Sequence, residues 1–193
     1  MQSMEGRYGE MNLIASIILM LASFLSIFSF SGQEAVVQDD LQAALEQVAA
    51  PDMSILILDA SEEEQLAWLT EIHQFEEHTL RSQSSGLTEQ DIRTIEAHLS
   101  QVFGPVQVRL ILVGYYRYDP ETGTYDVPDG DWFMASFDVD TWPSSEVAVT
   151  ERSEQAATLL LKGIDWKEDA RVIQFEFSIS DGRLWLERRT FLS

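Results

Sequence analysis

Apolar and polar positions follow two periods along this chain, and one long stretch follows neither. From Leu13 to Phe30 there is no charged residue and no Pro, Gly, Asn or Gln. At ~1.5 Å per residue, a helix of about 18 residues just spans a hydrocarbon core of roughly 30 Å. A helix apolar on every side is out of place at the surface of a small soluble domain.

The helical period of 3.6 comes next. Residues 36–50 (VVQDDLQAALEQVAA) put Leu41, Ala44, Leu45 and Val48 on one face and stop at Pro51. SILIL, residues 54–58, reads as a short buried strand or a hydrophobic lead-in to the next helix. Ser61 and Glu64 form a capping box for a helix whose apolar side is Leu66, Leu69, Ile72 and Leu80, flanked by Trp68 and Phe75. Thr88 and Asp91 cap another, with Leu87 stapling to Ile92. Its stripe is Ile92, Ile95, Leu99 and Phe103, and Gly104-Pro105 ends it.

From there the pattern turns to period two. Residues 106–118 (VQVRLILVGYYRY) and 132–140 (WFMASFDVD) read as strands joined by the long hairpin loop DPETGTYDVPDGD. A helix is expected over 151–162, ending at Gly163. Two strands close the chain. In RVIQFEFSIS, Ile173, Phe175, Phe177 and Ile179 share a face, and Asp181-Gly182 makes a tight turn into RLWLERRTFL. The expected class is α+β, with helices packed on one face of an antiparallel sheet. The order helix, helix, strand, strand, helix, strand, strand resembles the cone-shaped NTF2-like fold. That resemblance implies a domain carried on a single-helix anchor in a membrane assembly.

Two readings compete for the apolar run. A cleaved signal peptide would use Ser29 and Ser31 as the small residues before a cut at Gly32. Against it, the preceding MQSMEGRYGEMN carries Glu5, Arg7 and Glu10 where a positive segment is expected, and the run exceeds the usual 7–15 residues. A retained anchor is the favoured reading. Ala15, Ala22, Ser26 and Ser29 fall on one narrow helix face, where small side chains let another transmembrane helix approach. The chain then divides into a short cytoplasmic N-terminus (1–12), a transmembrane helix or signal anchor (13–31), a helical stalk (33–52) and an acidic α+β domain (53–193). Arg7 precedes the run, and no Lys or Arg follows it until Arg81. The positive-inside rule therefore places the domain outside the cytoplasm. Cleavage would leave it on the same side, secreted.

Charge narrows the partners. The 193 residues carry 33 acidic against 12 basic side chains, a formal −21. A field of that sign repels phosphate backbones and anionic lipid headgroups, so nucleic acid is not an expected partner. The hydrophobic content of 45% suits a packed core, and with no cysteine there is no disulfide, thiolate metal site or thiol nucleophile.

Candidate chemistry is sparse. HQFEEH resembles a zinc motif, but His73 and His78 sit about 140° apart on a helix and cannot share an ion. With His98 they read as solvated polar positions. In the hairpin loop Asp126, Asp129 and Asp131 surround Gly130, carboxylates on a turn of the kind Ca2+ accepts, although the EF-hand spacing is absent. Calcium is the one ion this pattern suggests; no resident cofactor is otherwise expected. Tyr116, Trp132, Trp142 and Trp185 belong to an aromatic set that either packs the core or offers a binding surface for sugar or protein. No nucleophile–base–acid set, G-x-S-x-G elbow or Gly-rich phosphate loop is present. The expected function is a non-enzymatic accessory or assembly subunit, its partners being integral membrane proteins. A secreted or tethered ligand-binding module is the alternative, and a hydrolase of unrecognised type the third reading.

Overall fold

A computed structural model describes residues 40–82, 85–128, 142, 144–164 and 167–192. The chain divides into two compact units, Met1–Gln42 and Ala43–Ser193. The apolar run and its Ala15, Ala22, Ser26 and Ser29 lie outside the described residues. Among the described residues no helix is long and apolar enough to cross a membrane.

The described domain is α+β, as the pattern predicts. A helical segment, α1, covers residues 40–46, with Leu41 and Leu45 buried and Ala44 and Val48 half-buried. SILIL folds as a 3-10 turn, Ile55–Asp59, instead of a strand. Ser54 starts the turn by accepting a hydrogen bond from the Leu56 amide, and only Leu58 of it is buried. Helices α2 (Glu62–Arg81) and α3 (Glu89–Leu99) begin at Ser61 and Thr88, both closed as full capping boxes. The carboxylates of Glu64 and Asp91 return to the cap amides at 2.8 Å in each case.

Two expectations give way to the opposite structure. VQVRLILVGYY is a helix, α4 (Pro105–Tyr115). The Gly104-Pro105 pair that seemed to end one helix starts another: Gly104 is the N-cap, and Pro105, at the first helical position, has the φ a helix needs and no amide to leave unpaired. Gln107, Val108, Ile111 and Tyr115 turn inward at helical spacing, and the leading V-x-V alternation has no structural role. Conversely, residues 151–162 are not a helix but parts of two strands, β3 (Ser144–Arg152) and β4 (Ala156–Ile164). Ser153 makes the turn: its hydroxyl accepts from the amides of Gln155 and Ala156. The helix-favouring run ATLLLK is held extended because neighbours pair with it on both sides.

The main sheet is a meander in the order β3-β4-β5-β6, antiparallel throughout, with β5 (Ala170–Ser180) and β6 (Arg183–Phe191) as expected. Leu161 lies between Val147 and Ile173, and Leu159 between Val149 and Phe175, so one face is a continuous apolar layer. Helix α2 packs on that layer, with the Trp68 ring 5.2 Å from that of Phe177. The opposite face presents Leu160, Gln174, Glu176 and Trp185, all half-exposed. A two-stranded hairpin forms a separate sheet: β1 (Arg117–Asp119) starts in the last two residues of the expected strand 106–118, and β2 (Thr124–Asp126) lies in what the pattern reads as loop. The strand expected over 132–140 lies outside the described residues. Among the described residues, helices α1 to α4 precede the first hairpin and the four-strand meander follows it, which is not the order that carries the NTF2-like resemblance.

Strand β6 contains the irregularity that shapes the interior. Glu176 pairs with Arg188, but Phe177 pairs with Leu186, so Glu187 is an extra residue in β6. Such a bulge reverses which side chains face inward. Leu184 and Leu186 face the core before it, and Arg189, opposite Phe175, does so after it.

Candidate functional site

The bulge brings a guanidinium against helix α2. Along α2, Trp68, Leu69, Ile72 and Leu80 are buried, Trp68 against the sheet, and between them the buried side also carries His73, Glu76 and Thr79. Glu76 is fully buried. Its two carboxylate oxygens accept from Arg189 Nη1 and Nη2 at 2.8 and 3.1 Å, a bidentate pair whose guanidinium is itself mostly buried. Both charges are satisfied by this geometry, which joins the middle of α2 to the end of β6.

Among the three histidines, only His78 is a solvated position as the pattern suggests. His73 is buried, and His98 is part-buried, stacked on Phe75 with ring centroids 5.1 Å apart. His98 Nε2 lies 3.1 Å from the Val48 carbonyl and Nδ1 lies 3.1 Å from the Gln101 amide nitrogen. A neutral ring protonated on Nε2 satisfies both. Burial, the larger influence, lowers the His98 pKa below its usual value, against the Val48 carbonyl, which raises it.

The carboxylates of the hairpin loop divide. Asp126 ends β2, and its Oδ1 accepts from the Gly86 amide at 2.8 Å, while Leu87 and Tyr125 exchange backbone hydrogen bonds beside it. Asp126 therefore ties the hairpin to the loop before α3. Asp129 and Asp131 lie outside the described residues. Among the described residues no group of three or more His, Asp or Glu side chains is arranged to hold a metal ion.

The aromatic set divides too. Tyr116 is buried, donates its hydroxyl to the Leu80 carbonyl at 2.9 Å and stands edge-on to Tyr115. Burial, and then the neighbouring Tyr115, push its pKa well above the ordinary tyrosine value. Trp142 is 9% exposed and lies where a Cβ on Gly163 would be, so β4 has no room for a side chain at that point. Core packing accounts for both, and neither lines an open surface. Trp185 is half-exposed on the outer sheet face, with the Arg183 guanidinium 5.2 Å from its ring centroid. Trp132 lies outside the described residues.

What sequence reasoning missed is the buried polar strip of α2. Its signal was present: Glu76 falls four residues after Ile72 and four before Leu80, a core position that requires a cationic partner. It also missed the outer face of α4, where Val106, Leu110 and Val113 are exposed at 59%, 59% and 72%. Compared with known proteins, the chain matches no family model, no curated protein and no solved structure.

Proposed function

We propose that the protein is a single-pass membrane subunit without catalytic activity, which holds an acidic α+β domain outside the cytoplasm and joins an assembly of integral membrane proteins. The observation that carries this reading is the uncharged run from Leu13 to Phe30, followed by a chain with no basic residue until Arg81. The domain's interior supports it. Among the ionisable groups drawn inside, Glu76 and Arg189 join α2 to β6, and half-buried His98 joins α3 to the chain at Val48. In the anchor, the Ala15, Ala22, Ser26 and Ser29 face is where a partner helix packs.

Replacing Ala22 and Ser26 with Leu tests the reading. Integral proteins that co-purify with the wild type in mild detergent should be lost, while the variant stays in the membrane fraction. Association that survives the double substitution contradicts it.

A second reading, a tethered ligand-binding module, rests on the open outer face of the sheet, where Trp185 stands beside Arg183. Saturable quenching of fluorescence by an oligosaccharide, abolished in Trp185→Ala, would favour it. For its calcium form, a calcium-dependent rise in melting temperature lost in Asp129→Ala is the expected sign.

A further inference from the structure

The 33 acidic residues are distributed so that two long intervals lack them. One, between Glu10 and Glu34, contains the apolar run; the other, between Glu96 and Asp119, contains α4. The next longest, between Glu77 and Glu89, is far shorter. Helix α4 is also unusual in what it exposes. Val106, Leu110 and Val113, at i, i+4 and i+7, form an aliphatic stripe on its outer side. Arg109 is exposed beside the stripe, and exposed Arg117 and Tyr118 follow the end of the helix. In a chain of net −21, α4 thus carries no acidic residue, and its apolar outer face has an exposed arginine beside it.

We propose that this face of α4 rests on the phospholipid bilayer. Val106, Leu110 and Val113 enter the boundary between headgroups and acyl chains, and Arg109 beside them reaches lipid phosphate oxygens. The proposal rests on the anchored reading above.

Size, tether and charge select lipid over a protein partner. Three aliphatic side chains on an 11-residue helix present far less area than the roughly 800 Å² per partner of a stable protein interface, a second copy of this chain included. A small contact is enough when the chain is also anchored, because a tether raises the local concentration at the bilayer. The remaining acidic surface is repelled by lipid phosphate, so the field turns the α4 face toward the membrane.

With no native cysteine, the test has no labelling background. Full-length Val113→Cys and, as a control on exposed β3, Glu151→Cys are labelled with an environment-sensitive fluorophore and reconstituted into phosphatidylcholine–phosphatidylglycerol vesicles containing headgroup-region spin-labelled lipid. Flotation shows that each is in the bilayer, and circular dichroism shows that each is folded. The label at position 113 should be quenched about threefold or more over that at 151, and Leu110→Glu in the same chain should abolish the difference. Equal quenching at the two positions in floating protein overturns the proposal and leaves the anchor intact. So does protection of position 113 that requires a co-reconstituted protein, which would make the face a protein interface. Failure of the full chain to float overturns the anchored reading and the proposal together.

Discussion

At the scale of single residues, two contacts dominate the interior. Glu76 is fully buried and has Arg189 as its bidentate partner, so removing the guanidinium strands a charge in the core. Arg189→Met should cost about 3–5 kcal/mol in denaturant unfolding, and Glu76→Leu with Arg189→Met should recover much of that, because the pair joins elements more than it stabilises them. Gly163 is the second. A Cβ there would overlap the Trp142 ring and lie 2.7 Å from the Ser144 carbonyl oxygen. Backbone cannot yield as a side-chain tip can, so Gly163→Ala should lower stability by about 1–3 kcal/mol and alter the tryptophan emission as Trp142 is displaced. The second contact is not legible in the sequence, which shows a glycine after LLLK and a tryptophan after DVDT; only pairing of β3 with β4 brings them together.

At the scale of elements, the caps were legible and the periods were not always. Ser61-x-x-Glu64 and Thr88-x-x-Asp91 carry their meaning in four consecutive residues, and both close as read. Ser61→Ala and Thr88→Ala should each cost about 1 kcal/mol, measurable as a lower denaturation midpoint without a change of slope. Strands β5 and β6 were equally plain, since alternation is strict over Ile173–Ile179 and a tight turn follows. The failures share one cause. VQVRLILV satisfies both periods poorly, and the deciding residue, Pro105, reads equally well as the stop of the preceding helix. ATLLLK has helical propensity, but its strand state depends on two neighbours distant in sequence. The site was less legible still. Alternation from Leu184 and Leu186 points Arg188 inward, whereas the bulge at Glu187 turns Arg189 in instead, and nothing local announces a bulge.

At the scale of the whole molecule, pH acts on stability from both sides. Three groups have lowered pKa values in the folded state: His98 through burial, Glu64 through its bonds to Ser61, and Asp59 through its hydrogen bond to Arg152. The unfolded chain then binds protons first, so stability is full above the unfolded values and falls as each group's window is crossed on acidification. The decline should begin below about pH 6.5 with His98 and steepen below about pH 4.5 with the carboxylates, and His98→Gln should remove the first stage in pH-dependent melts. Tyr115 and Tyr116 are raised in the folded state, so above about pH 10 the unfolded chain loses protons first and stability falls again. Tyr116→Phe should lessen that alkaline loss. Under the proposed function, the domain works beside a bilayer to which its own N-terminal segment holds it. The most direct test is the intact mass of the native protein recovered from alkali-washed membranes. The account predicts a chain that retains residues 13–30 and stays with the membrane pellet; a chain beginning near Gly32 in the soluble fraction would contradict it.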